Sequence, residues 1–273
     1  MTPAKAPTTP QLLALDLDGT LIDRSLVIRP RVRAAIAAAR ERGVRGCIVT
    51  GRMFRAALPF VRELAFDAPV ICYQGAAIVD PNSDDVLRHT SLANRTVLEL
   101  IERTRADAMH LQLYANDCYY VEAENEFSEL YAQLSQARPV AVPSLAEQFR
   151  FSDATKAVII DNPSRVTEYL PHLQAAFEGR AYITRSYPQF IEVLNPAVDK
   201  GEALQFVAKR LGIPMESVIA IGDSWNDAPL LKAAGFGIAM GSAPPELLSV
   251  ADATVGDYES DGVAEAIETF VLK

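Results

Sequence analysis

Leu12-Leu13-Ala14-Leu15-Asp16-Leu17-Asp18-Gly19-Thr20-Leu21-Ile22-Asp23 decides the fold: an apolar run stops at two carboxylates one residue apart, followed by glycine and threonine. An apolar run bounded by turn residues fits a strand buried on both faces, as in a parallel sheet flanked by helices. Ligands of such sheets bind beyond the carboxyl ends of the strands, where Asp16 and Asp18 emerge. Two carboxylates so close repel unless a cation or a shared proton intervenes. A hard divalent cation with oxygen ligands, Mg²⁺ above all, is the simplest remedy. The competing reading is an ordinary turn, since Asp tolerates tight turns and Gly supplies positive φ.

Outward from this strand, residues 30–42 carry Val32, Ala35, Ile36 and Ala39 at helical spacing, with Pro30 at the start and Gly43 just past the end, and predict a helix. Residues 46–52 read as a second buried strand entering a turn, 53–66 as a helix and 69–73 as a third strand. Strand, helix, strand, helix, strand begins a doubly wound α/β sheet. The polar cluster Pro81-Asn82-Ser83-Asp84-Asp85 marks a change of texture. Beyond it the pattern predicts a helix over 92–104, strands over 110–114 and 118–123 joined as a hairpin across Asn116-Asp117, and shorter strands over 157–160, 181–184 and 190–194. Helices near 126–136 and over 165–177 intervene. The framework resumes at Lys200 with a helix ended by Gly212. Residues 217–223 then repeat the opening pattern, a buried strand followed by Asp223. Helices over 229–234, 245–250 and 262–270 and a strand over 236–240 complete it. The expected division is a framework over 1–90 and 196–273 with an inserted α+β cap domain over 91–195.

Length and composition set the limits. A chain of 273 residues suits two domains, and 49% hydrophobic with 22% charged residues is ordinary for a soluble globular protein. The net charge of −9 argues against general affinity for nucleic acid or anionic lipid, because both are polyanions. Cys47, Cys72 and Cys118 are odd in number, widely spaced and without a metal-ligand pattern, which predicts reduced thiols in a cytoplasmic compartment. Residues 1–10 are rich in Thr, Pro and Ala, lack the apolar core of a signal peptide and predict a disordered tail. No apolar run has the length to span a bilayer.

Four stretches at strand ends carry polar groups that converge at one sheet edge in such a fold: Asp16-Leu17-Asp18, Thr50-Gly51-Arg52, Lys200-Gly201, and Gly222-Asp223-Ser224-Trp225-Asn226-Asp227. In type, order and spacing they resemble the four motifs of the haloacid dehalogenase superfamily of phosphotransferases. The layout is similar to its Cof-type branch, with a large cap between the second and third motifs, and Ala239-Met240-Gly241 and Asp261-Gly262-Val263 also resemble that branch. The cap matches by length and position more than by residues.

The resemblance implies a Rossmann-like framework and a Mg²⁺-dependent phosphatase acting on a small phosphomonoester, such as a sugar phosphate, a nucleotide or a phosphorylated cofactor. Asp16 matches the nucleophile that forms an aspartyl-phosphate, splitting one hard hydrolysis into two displacements. Asp18 matches the acid and base that serves the leaving oxygen and then the attacking water, with its backbone carbonyl helping to hold the metal. Thr50 matches the hydroxyl that hydrogen-bonds the phosphoryl group, and Lys200 the cation that offsets its charge and that of Asp16. Asp223 and Asp227 complete the implied metal set with Asp16 and Asp18. Gly51, Arg52 and Asn226 are candidate substrate contacts. Trp225 reads as packing over the metal loop, and His89, His110 and His172 lack the mutual spacing of a site. Two positions depart from the branch: Gln74-Gly75 where it often has Asn-Gly, and Ser242 where it often has Asn. The same motifs also serve mutases that pass phosphate to a second hydroxyl. A receiver-like signalling module likewise gathers aspartates, a threonine and a lysine around Mg²⁺, but Asp18 and the large insertion argue against it. A non-catalytic binding protein is disfavoured because no motif residue is missing.

Overall fold

The computed structural model describes residues 6–273, so half of the predicted disordered tail lies outside the described residues, and Ala6 packs partly buried against the main core. In chain order the elements are β1 (Leu12–Leu15), α1 (Pro30–Glu41), β2 (Arg45–Ile48), α2 (Phe54–Glu63), β3 (Val70–Cys72), β4 (Ala77–Val79) and β5 (Val86–His89). Then follow α3 (Asn94–Ala106), β6 (His110–Ala115), β7 (Cys118–Val121), α4 (Glu126–Ser135), β8 (Val140–Ala141), α5 (Leu145–Gln148), β9 (Lys156–Ile160), α6 (Pro163–Ala176), β10 (Tyr182–Arg185) and β11 (Phe190–Leu194). The chain closes with α7 (Lys200–Leu211), β12 (Val218–Gly222), α8 (Ala228–Ala233), β13 (Phe236–Ala239), α9 (Pro245–Leu248), β14 (Ala253–Thr254) and α10 (Gly262–Phe270).

The framework sheet runs β14-β13-β12-β1-β2, all parallel. Alternation along a strand sends successive side chains to opposite faces. Leu13, Leu15, Ile219 and Ile221 therefore join Val32 and Ile36 of α1 and Val263 and Ile267 of α10 on one side. Leu12, Ala14, Val218 and Ala220 join Leu204 and Val207 of α7 and Leu230 and Leu231 of α8 on the other. Burial on both faces is why these strands read as unbroken apolar runs. Beyond β2, a parallel bridge from Val49 to Ile71 brings in β3. There the pattern departs from the expected parallel continuation, because β3 pairs antiparallel with β4 and β4 with β5. The polar cluster near Pro81 is the turn of that second pair.

The inserted segment forms its own sheet in the order β10-β11-β9-β6-β7-β8, antiparallel except for the short β7–β8 pair. Leu111, Leu113, Ala157, Ile159, Ile191 and Val193 face α3 and α6 on its outer side. The opposite face carries Tyr114, Val158, Ile160, Phe190 and Leu194, which pack into the same cluster as framework residues, so this face closes over the framework. The β6–β7 hairpin turns through Asn116 and Asp117, at φ 52° and 54°, the paired left-handed geometry that a two-residue type I′ turn requires. Its tip reaches across: Asp117 accepts from Phe54 N at 3.0 Å, Arg55 N at 3.1 Å and the Tyr73 hydroxyl at 2.6 Å, and so caps the N-terminus of α2.

Candidate active site

β1, β2 and β12 lie side by side and point the same way, so the residues after them share one edge. Asp16 N donates to Ile221 O at 3.0 Å, fixing the start of the loop that carries Asp16 and Asp18. Lys200 enters as the first residue of α7. The cap of that helix is Asp199, whose carboxylate accepts from Glu202 N at 2.8 Å, so Lys200 does not cap it. A cation at a helix N-terminus opposes the helix dipole, and a function other than helix stability accounts for it. Its Nζ, fully buried, lies 2.5 Å from Asp16 Oδ1 and 2.6 Å from Asp227 Oδ1.

Asp227 is held from the other side by its own loop, its Oδ2 accepting from Asp223 N and Ser224 N, each at 3.0 Å. Asp223 accepts from the Thr20 hydroxyl at 3.1 Å. Gly19, at φ +86°, lets the chain pass so close that a β-carbon there would sit 2.2 Å from Asp223 Oδ2. Asp16, Asp223 and Asp227 thus present carboxylate oxygens within 4.8 Å of one another. Three carboxylates against one ammonium leave two negative charges uncompensated. Burial, and after it the charge of Asp227, pushes the Asp16 carboxyl up to about 7 despite Lys200. Burial and then Asp16 hold Asp223 well above the usual carboxylate range. A buried, all-oxygen donor set with two excess negative charges fits a hard divalent cation.

The turn after β2 supplies Thr50, whose hydroxyl accepts from Arg52 N at 3.1 Å and keeps its proton to donate. Arg52, buried, forms a two-pronged pair with Asp18, Nε to Oδ2 at 2.8 Å and Nη2 to Oδ1 at 2.6 Å. Its Nη2 also donates to Leu134 O of the cap at 2.7 Å. Asp18 therefore stands apart from the three-carboxylate cluster, with both oxygens occupied by Arg52. Gly51 is required by close approach, since a β-carbon would meet Gln74 Nε2 at 2.4 Å.

Sequence reasoning did not assign Gln74 a role. It is buried, and Asn226 Nδ2 donates to its Oε1 at 2.8 Å, while Gln74 Nε2 and Asn226 Oδ1 have no partner among the described residues. Tyr73 and Gln74 lie consecutively at φ 52° and 60°, a conformation costing about 1–3 kcal/mol per residue and found where function over-determines the backbone. The sequence signal was a strand followed by Gln-Gly. Lys156 and Glu192, both of the cap, also line the cavity above Asp16 and Asp18 and were not foreseen. The cavity measures about 50 Å³. Trp225 packs against the cap, the Arg185 guanidinium 4.7 Å from its ring centroid. His89 pairs with Thr155 at 3.0 Å, His110 with Gln112 and Asn125, each at 3.2 Å, and His172 is exposed; none lines the cavity.

A sequence profile described as haloacid dehalogenase-like hydrolase matches residues 13–267. The chain is 30% identical to a pyridoxal phosphate phosphatase of Escherichia coli (strain K12), over 97% of this chain and 100% of that protein. It is 28% identical to a 5-amino-6-(5-phospho-D-ribitylamino)uracil phosphatase of Bacillus subtilis (strain 168), over 96% and 98%. Among solved structures, a haloacid dehalogenase-like hydrolase from Bacteroides thetaiotaomicron superposes with a TM-score of 0.83 at 28% identity, covering 95% of this chain and 99% of that one. The chain belongs to the haloacid dehalogenase-like hydrolases, in their Cof-type branch, and is a phosphoric monoester hydrolase.

Proposed function

We propose that this protein hydrolyses a small phosphomonoester in two displacements through Asp16, with residues 91–195 acting as the cap and Mg²⁺ as the cofactor. The observation that carries the reading is the burial of Lys200 between Asp16 and Asp227, with Asp223 beside them. That cluster surrounds the Asp16 carboxylate with a buried ammonium and a candidate cation site, the means to neutralise the charge of an incoming phosphate. Asp16, Asp223 and Asp227, with the backbone carbonyl of Asp18, would hold the ion. Bound there, Mg²⁺ would offset the negative charge that otherwise repels an incoming phosphate.

In the first displacement an Asp16 oxygen bonds to phosphorus, the ester oxygen departs and Asp18 delivers its proton. In the second, Asp18 takes a proton from water, the water oxygen bonds to phosphorus and inorganic phosphate leaves Asp16. Thr50 donates to a phosphoryl oxygen, and Lys200 offsets charge on the phosphoryl group and on Asp16. Arg52 offers a phosphoryl group a two-pronged partner, and its transfer from Asp18 to the substrate frees that carboxylate for proton transfer. The cap, resting on Arg52 through Leu134, excludes bulk water meanwhile. Three unpaired thiols support a reducing, cytoplasmic setting.

Release of inorganic phosphate from 4-nitrophenyl phosphate with Mg²⁺ present tests the reading. Asp16→Asn is expected to lose ~10⁴-fold or more in kcat while unfolding at a temperature close to the parent's. A variant as active as the parent overturns the nucleophile assignment.

A further inference from the structure

The cap side of the cavity has a composition of its own. Its walls are the rings of Tyr131, Tyr187 and Phe190, with centroids of Tyr187 and Phe190 5.2 Å apart and of Tyr131 and Phe190 5.8 Å apart. Among these rings stand two full charges from β9 and β11, Lys156 and Glu192, 1% and 3% exposed, with Nζ 2.7 Å from Oε2. Lys156 also donates to Gly51 O at 2.8 Å, and Glu192 Oε1 accepts from the Ser186 hydroxyl at 2.7 Å. Two apolar side chains would pack this face without the desolvation that buried ions suffer, so packing does not account for the pair. An ammonium has three donors and each carboxylate oxygen two lone pairs. Lys156 turns its remaining side to the Tyr114 ring, Nζ 4.8 Å from the centroid, whereas Glu192 keeps acceptor sites on the cavity wall.

The charges supply a second constraint. Lys156 is matched by Glu192 and Arg52 by Asp18, and among the described residues no other cation lines the cavity. Arg52 is the partner proposed above for the transferring phosphoryl group. No cation is left for a second anionic group on the leaving alcohol, and Glu192 would repel one.

We infer that the alcohol half of the substrate is an uncharged flat ring bearing a hydroxyl or another hydrogen-bond donor, stacked on the Tyr187–Phe190 wall and donating to Glu192. This specifies the substrate class of the phosphatase reading above and rests on it. Phosphomonoesters carrying a second phosphate or a carboxylate are poor substrates. A ring with one donor edge covers the aromatic wall and meets the acceptor sites that Glu192 keeps.

Steady-state kinetics of the Mg²⁺-loaded enzyme on 3-hydroxybenzyl, benzyl and 3-carboxybenzyl phosphates test it, with 4-nitrophenyl phosphate reporting the underlying chemistry. The expected order of kcat/KM is hydroxybenzyl above benzyl above carboxybenzyl, with steps of about tenfold. In Glu192→Gln the Lys156 charge is no longer matched. The carboxybenzyl-to-hydroxybenzyl ratio of kcat/KM is then expected to rise by about tenfold or more, whereas a variant that is only damaged loses activity on all three together. Carboxybenzyl phosphate serving the parent as well as hydroxybenzyl phosphate, or a ratio unmoved in Glu192→Gln, overturns the inference. If that variant does not fold, the order of substrates in the parent decides alone. Absence of 4-nitrophenyl phosphate hydrolysis overturns instead the phosphatase reading on which the inference stands.

Discussion

As the proposed nucleophile, Asp16 carries opposite demands: it must be anionic to attack phosphorus, yet it is buried beside Asp227 and Asp223. In the metal-free protein it keeps its proton up to about 7, against an ordinary value of 3.8. Between those two values the folded chain holds a proton that the unfolded chain has released. The stability this group contributes is therefore full below about pH 4 and is lost as pH rises through about 7. A bound cation takes the proton's place. The rise in Tm on adding Mg²⁺ is accordingly expected to be larger at about pH 8 than at about pH 5, and equal rises would contradict the assignment. Of the site, the residues at strand ends were legible because each ends an apolar run abruptly. Glu192 offered a signal that went unused, a charge in the middle of the apolar run Phe190–Leu194. Lys156 and Gln74 offered less, because their roles come from which strand lies beside which and from a left-handed turn.

At the scale of elements, the joints between cap and framework matter most. α2 begins at Phe54 with no cap from its own sequence, and Asp117 on the β6–β7 turn supplies it across the domain boundary. Asp117→Ala is expected to cost about 0.5–2 kcal/mol in denaturant unfolding, the usual worth of a helix cap. An unchanged midpoint would show that the contact is not used. The Asn116-Asp117 turn was readable because residues of this type tolerate left-handed backbone. The capping role was not, since nothing near Asp117 in the sequence names Phe54. β4 and β5 were missed because β4 is a buried strand of only three residues and β5 is a largely exposed edge, so neither a long apolar run nor a clean alternation marks them. β8 and β14 are two residues each, too short for any period.

Taken whole, the molecule is a parallel framework that gathers charge at one edge and a second sheet that closes over it. The closure is polar as well as apolar. Arg52 donates to Leu134 O, Lys156 to Gly51 O and the Ser224 hydroxyl to Ser186 O at 2.9 Å. Each of these contacts ties a loop of the proposed site to the cap, so hydrogen exchange at the turn that follows β2 is expected to slow when inorganic phosphate and Mg²⁺ are bound, and unchanged exchange would count against closure around the phosphoryl site. The doubly wound framework was legible from periodicity, and the inserted domain from a change of texture. How the two sheets face each other was not, because that is decided by side chains far apart in the sequence, 38 to 105 positions in the three contacts above. The most direct measurement is chemical: quench a turning-over reaction with acid, reduce any acyl phosphate with labelled borohydride and map the label by peptide mass. Mg²⁺-dependent labelling at Asp16, absent in Asp16→Asn, is the expected result. Turnover with no label at Asp16, or with the label on another residue, would contradict the central claim.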